Sequence, residues 1–419
     1  MKFLKLFGLL FLLSASLYAQ DTNYARKNLN ILCSDQFKGR GYAFRGDSIA
    51  ARYISRQLQQ MGLQTWFKHY QQKYTLGINA IGKNAVFDFG NGYPAKYQSD
   101  MLKIDPCSAR TKGKFHIVRF EELKPGCDYS KNMICIDVTR YKNDTAALRS
   151  CYRAAYSNKY HAKGYVILEE NPRTATPATA LLHANCCIVY LIKDSIKAPL
   201  DMVKINLDAR WDDYFTCQNV AGYVRGKNAD TNEWIVIGAH YDHVGMMGKN
   251  AIYHGAQDNA SGTAMLLDLA RYYSMDSHQP AYNMLFVFFD GEESGLLGSS
   301  YFVQNCPVDI KSVKLMINLD LVGNGEEGIC ICGGENYPEI FEKISAINRS
   351  KNYLPDIQKR NITPNSDHYS FHKQGCTALF IYTRGVSGPY HHPDDLPQYL
   401  NLAGYNGLFR LLVEYISTL

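Results

Sequence analysis

The sequence predicts an α/β fold: a mostly parallel central sheet with helices on both faces, plus a small β-rich inserted domain. Three observations carry the prediction. Residues 234–239, 284–289, 314–319 and 378–382 are largely apolar runs of strand length, and strands apolar in consecutive positions are buried on both faces, as parallel strands are. Helix-like segments at 262–273, 295–303, 337–350 and 405–416 lie among them, so the layers are helix, sheet, helix. From about residue 90 to 211 the character changes to short β-rich runs, 133–138, 164–168 and 187–192, with a helix expected over 145–162.

Taken in order, the chain opens with Lys2 and Lys5 ahead of an apolar run over residues 6–13 and a small residue, Ala19. This reads as a signal peptide over residues 1–19, too short to span a bilayer, and it implies a secreted or periplasmic protein with no stable membrane insertion. A helix is expected over 22–32, followed by the glycine-punctuated loop 34–41. A second helix, capped by Asp47 or Ser48, shows Ile49, Tyr53, Ile54, Leu58 and Met61 on one face and stops at Gly62. The domain division that follows is 20–90 and 213–419 for the main fold and 91–212 for the insert.

The composition removes whole classes. With 419 residues, 46% hydrophobic and 20% charged, the chain is neither disordered nor of low complexity. A net charge of +6 without a basic run argues against a nucleic-acid partner. Twelve cysteines suit an oxidising compartment, but no C-x-x-C pair occurs, so they read as buried small side chains or structural disulfides rather than a zinc site.

In a parallel sheet ligands bind outside the carboxyl ends of the strands, which makes the residue after each apolar run the informative one. Here the first run leads into His240-Tyr241-Asp242-His243, the second into Asp290-Gly291-Glu292-Glu293, the third into Asp320, and the last opens toward Tyr390-His391-His392. The loop 255–262 sets Asp258 just before a helix start. Carboxylates converging on one crevice repel unless cations neutralise them, and interleaved imidazoles select a borderline divalent metal. Two Zn2+ ions fit: they need a bridging carboxylate, terminal ligands on each side and a further carboxylate to handle the proton of a shared water. Adjacent Glu292 and Glu293 can supply one ligand and one base.

These segments, in this order, resemble the co-catalytic zinc exopeptidases of metallopeptidase family 28, whose relatives include secreted bacterial aminopeptidases, glutamate carboxypeptidase, glutaminyl cyclase and the transferrin receptor. Residues 34–41 and the helix ending at Gly62 match the family's N-terminal segment, and the insert is similar to a protease-associated domain. The resemblance implies a hydrolase that removes the N-terminal residue from peptide substrates. It implies that Asp258 bridges the metals, that His240 and Asp320 complete one ion, and that Glu293 and His391 complete the other. Glu292 would then be the general base and acid, with Asp242 orienting His240. Carboxypeptidase, glutaminyl cyclase and receptor-like binding functions on the same scaffold are the alternatives. Two departures, Gln257 before the bridging position and His392 where a hydroxyl residue is common, remove no ligand.

Overall fold

The computed structural model describes residues 22–90, 102–171, 183–196, 198–228, 232–249, 251–386 and 388–419, with the backbone of Pro94–Ala95. The expected signal over residues 1–19 lies outside the described residues. In chain order the strands are β1 (Gln71–Asp88), β2 (Pro94–Ala95), β3 (Leu102–Ile104), β4 (Thr111–Arg119), β5 (Asn132–Asp137), β6 (Gly164–Glu169), β7 (Cys187–Ile192), β8 (Met202–Val224), β9 (Trp234–His240), β10 (Gly245–Met247), β11 (Ala251–Tyr253), β12 (Asn283–Phe289), β13 (Val313–Leu319), β14 (Gly328–Cys332), β15 (Ile357–Arg360) and β16 (Ala378–Arg384). The helices are α1 (Thr22–Leu32), α2 (Gly46–Gln60), α3 (Thr145–Tyr156), α4 (Ser261–Tyr273), α5 (Leu297–Gln304), α6 (Pro338–Lys351), α7 (His368–His372) and α8 (Tyr405–Ser417).

The four apolar runs become neighbouring strands in the order β16-β13-β9-β12, each pair parallel. Their side chains alternate between two cores, which explains why no position in them is polar by periodicity. Met284, Phe286 and Phe288 of β12, with Ile235 and Ile237 of β9, pack under α1, α2, α4 and α8 through residues such as Leu29, Ile54, Leu266 and Leu412. Leu285, Val287 and Phe289, with Val236 and Met316, face the opposite way onto Phe302 and Val303 of α5 and Phe371 of α7. At one edge β14 runs antiparallel to β16 and β15 parallel to β14, so the sheet is mixed at its rim.

The other half of the sheet is joined through one long strand. The C-terminal end of β8 pairs antiparallel with β12, and its N-terminal end pairs with β4. Along most of its length it also pairs with β1, from Gln71 opposite Val220 to Asp88 opposite Lys204. Beyond β4 the order continues β5-β6-β7-β3, and this part buries its own cluster, including Ile134, Ile136, Ile167 and Ile188, against Cys151 and Ala155 of α3. Residue 212, the expected end of the insert, falls inside β8 beside exposed Tyr214.

Local differences have identifiable causes. The helix expected over 145–162 stops at Tyr156, because Asn158 and His161 take positive φ values of 45° and 51°. Asp47 does not cap α2: the helix begins at Gly46 after Arg45 at φ 60°, and the fully buried Asp47 carboxylate accepts from Gln218 Nε2 at 3.1 Å. All twelve cysteines are free thiols, and all but Cys127 and Cys306 are buried.

The turn from β12 into α5 depends on a missing side chain. A Cβ at Gly298 would stand 1.8 Å from the carbonyl oxygen of Asp290, far inside contact distance. Gly298→Ala is therefore expected to lower the denaturation midpoint by an amount equivalent to about 1–3 kcal/mol, as overpacking does. An unchanged midpoint in thermal and urea unfolding would show that this turn shifts freely.

Candidate metal centre

The carboxyl ends of β9, β12 and β13 open on one crevice. His240 is the last residue of β9 and is level with Phe289 of β12, so Asp290 to Glu293 emerge beside it; Asp320 follows β13. Asp258 reaches the same place from the loop between β11 and α4, and its peptide bond to Asn259 is cis. Gly255 shapes that loop at φ 55°; a Cβ there would meet the Asp258 carbonyl oxygen at 2.2 Å and the His243 ring at 2.4 Å.

Asp258 faces two ways. Its Oδ1 is 3.3 Å from His240 Nε2, while its Oδ2 is 3.0 Å from His391 Nε2. On the first side Asp320 Oδ1 is also 3.3 Å from His240 Nε2. On the second, Glu293 Oε2 is 2.9 Å from His391 Nε2, and Glu293 Oε1 is 2.7 Å from His243 Nδ1. Two groups of potential ligands result, His240, Glu292 and Asp320, and His243, Asp258, Glu293 and His391, with donor atoms in each group within 4.8 Å of one another.

Supporting contacts fix these orientations. His240 Nδ1 donates to the carbonyl oxygen of Asp242 at 3.2 Å, which leaves Nε2 facing the carboxylates. The Asp242 carboxylate is 3.6 Å from Nδ1 and accepts from the amides of Glu292 and Glu293, at 3.2 and 3.3 Å. The Ser366 hydroxyl donates to Asp320 Oδ2 at 2.7 Å and is itself held by Asn318 Nδ2 at 2.8 Å. The Tyr390 ring stacks on His391 with centroids 3.9 Å apart.

The electrostatics of so many buried acids follow from these distances. Burial alone would raise the Asp258 carboxyl, yet hydrogen bonds from His240 and His391 hold it well below the usual carboxylate range. Burial and the Asp258 charge push Glu293 up, but His391 and His243 outweigh them and lower it to about 2. The imidazoles move the other way. Burial would lower them, but Glu293 and Asp258 raise His391 to about 11, and Asp320 and Glu292 raise His240 well above its ordinary value. Glu292 is raised, first by burial and then by Asp320 and Glu293. The acids thus recruit protons onto the imidazoles to balance their charge. A divalent cation competes for the same nitrogens. His240 Nε2 and Asp320 Oδ1 are buried and face each other at 3.3 Å, and each group offers imidazole and carboxylate donors within 4.8 Å of one another, so the donor set fits dications.

Every residue expected at the site is brought together: His240, Asp242, Asp258, Glu292, Glu293, Asp320 and His391. His243, which the sequence leaves unassigned, joins them. His368 is in neither group; its Nε2 lies 3.7 Å from Cys332 Sγ. Sequence reasoning assigns no role to Arg40 or Asp395, both buried and both hydrogen-bonded to the Asp258 loop. The available signal for Asp395 is its place four residues after His391; Arg40 lies in the 34–41 loop, where the glycines are the only conspicuous feature.

A sheet with three parallel strand ends converging on a two-sided acid and imidazole pocket defines a metal-binding α/β protein. A sequence model of Peptidase family M28 matches residues 219–416, the stretch that holds every one of these ligands. Aminopeptidase YwaD of Bacillus subtilis is 29% identical over 251 residues, covering 56% of this chain and 52% of that protein. A probable leucine aminopeptidase of Arthroderma otae is 29% identical over 190 residues, 42% of this chain and 50% of the relative. The chain thus spans about half the length of these curated relatives. Among solved structures, BSAP, a zinc aminopeptidase from Bacillus subtilis, superposes with a TM-score of 0.69 at 19% identity over 95% of both chains. An aminopeptidase from Aneurinibacillus sp. strain AM-1 gives 0.61 at 19% identity over 95% of this chain and 93% of its own. These likenesses establish the fold over nearly the whole length.

Because the imidazoles carry protons that a cation must displace, metal binding is expected to release protons near neutral pH and to weaken as pH falls. Zinc titration calorimetry in buffers of different ionisation enthalpy reads this directly. Heats independent of the buffer would contradict it.

Proposed function

We propose that the protein is an exported, zinc-dependent aminopeptidase with two metal ions in its centre. The single observation that carries this reading is Asp258, whose two carboxylate oxygens address two separate imidazole and carboxylate sets. That a relative of this fold is described as a zinc aminopeptidase supports the choice of metal and reaction. Asp258 would hold both ions, with His240 and Asp320 on one side and Glu293 and His391 on the other, while His243 steadies Glu293. Zinc bound there would supply an acidic water and an electrophile for the scissile carbonyl.

The rest is done by the chain's own residues. Glu292 stands with its carboxyl at the pocket and its amide anchored on Asp242, placed to take the proton of the attacking water and return it to the departing amine. The Asp258 and Glu293 carboxylates stay ionised and offer the free amino terminus of a peptide an anionic environment. Beside Asp258 lies a cavity of ≈ 230 Å³ lined by Leu321, Tyr382, Val386, Pro389 and Tyr390 among others. No cationic side chain lines it among the described residues, which favours an uncharged or apolar substrate side chain over the terminal carboxylate a carboxypeptidase must grip.

The domain division belongs to the same reading. Residues 20–90 and 213–419 would form the peptidase part, and 91–212 a protease-associated-like insert. Export would follow cleavage near Ala19; among the described residues no helix is long and apolar enough to cross a membrane.

Three outcomes test the proposal. Glu292→Gln is expected to keep both zinc ions but lose turnover by at least ~100-fold, the lower range for removing a general base; near-normal rates with full zinc would refute its role. N-acetylation of peptides should abolish cleavage, whereas release of C-terminal residues from blocked peptides, read by mass spectrometry, would favour the carboxypeptidase alternative. Leucine and methionine amides should be cleaved faster than lysine amides, and the reverse order would show that the cavity beside Asp258 does not receive the substrate side chain.

A further inference from the structure

Arg40 is among the largest fully buried side chains of the protein, with 0% exposure, yet its hydrogen-bond partners include no carboxylate. Its Nε donates to the Tyr241 carbonyl at 2.8 Å. Nη1 donates to Leu32 O at 3.1 Å and His254 O at 2.6 Å, and Nη2 to Gly255 O at 2.7 Å and Asp258 O at 3.3 Å. A guanidinium in the interior ordinarily requires an anion. Here backbone carbonyls replace it, and three of the five belong to the loop that presents Asp258.

The opposite side of that loop meets a buried anion. Asp395, 2% exposed, accepts from the amide of Gln257 at 2.9 and 3.1 Å and from that of Asp258 at 3.2 Å, while its carbonyl accepts from Ala256 N at 3.2 Å. The loop's carbonyls therefore point at a cation and its amides at an anion, so both charges act on the same aligned peptide dipoles. Asp258 itself is held through its own N–H and its own C=O. Asp395 also lies four residues beyond His391, which ties the loop to the segment carrying another potential ligand.

We infer that Arg40 and Asp395 are positioning residues, a pair of opposite charges that clamps residues 254–258 so that Asp258 stands midway between His240 and His391. The inference rests on the metal-centre reading above, and it assigns to these two residues the affinity of the shared metal position. Arg40 does not line the cavity beside Asp258, whereas Asp395 does, so zinc affinity rather than turnover is the readout that isolates the clamp. A side chain that merely filled the core would affect folding and leave metal affinity alone; a clamp on the bridging carboxylate must change metal affinity in the folded protein.

Zinc affinity measured by chelator competition, with bound zinc counted by plasma mass spectrometry, separates these. The comparison uses wild type, Arg40→Lys, Asp395→Asn and the core variant Phe302→Leu, each checked for folding by circular dichroism. Lys cannot reach five carbonyls at once, and Asn keeps one acceptor while removing the charge. Each is expected to weaken the more loosely held zinc by ~10- to 100-fold, the usual cost of losing an outer support of a ligand, whereas Phe302→Leu should keep wild-type affinity. Folded Arg40→Lys and Asp395→Asn proteins that hold both ions as tightly as wild type would overturn the inference. If Arg40→Lys fails to fold, Asp395→Asn alone decides, by the same loss or retention of zinc affinity. A wild-type chain that binds fewer than two zinc ions would instead overturn the metal-centre reading on which the inference stands.

Discussion

The structure turns on one constraint: a carboxylate cannot sit between other carboxylates inside a protein without positive charge on either side. Asp258 shares its pocket with Glu292, Glu293 and Asp320, all delivered by strand ends or the segments just beyond them. In water such charges would separate; here the sheet fixes them. The imidazoles of His240 and His391 answer the two oxygens of Asp258 individually, and this one-to-one matching divides a single acidic pocket into two groups of potential ligands. Affinity for dications is the price of holding the acids together.

The fold supplies the rigidity that this requires. β9, β12 and β13 are buried on both faces and locked in parallel register, so the residues at their carboxyl ends have little freedom to spread. Polar supports then orient individual side chains: Asp242 on the amides of Glu292 and Glu293, Ser366 on Asp320, the Asp242 carbonyl on His240. The Asp258 loop does not continue one of the parallel strands, and it is gripped by two buried charges of opposite sign. A loop that must behave like a strand receives extra restraint.

Much of this is legible in the sequence because its signals are local. Continuous apolar runs mark strands buried on both faces, and the acidic or imidazole residue after each run marks the crevice; that is why His240, Glu293 and Asp320 stand out. The remainder depends on contacts distant along the chain. Arg40 meets Asp258 across more than two hundred residues, and nothing about a single arginine in a glycine-rich loop announces full burial. The long pairing of β1 with β8 is likewise hidden, since β8 is exposed in its middle and lacks a continuous apolar pattern. Asp47 misleads for the opposite reason: its position suggests a helix cap, but tertiary burial against Gln218 outweighs the local role.

Zinc-edge anomalous diffraction from crystals grown with zinc tests the central claim most directly. Two peaks are expected about 3.5–4 Å apart, one beside His240 and Asp320, the other beside Glu293 and His391, with Asp258 between them. A single peak, or two that do not share Asp258, would contradict the account.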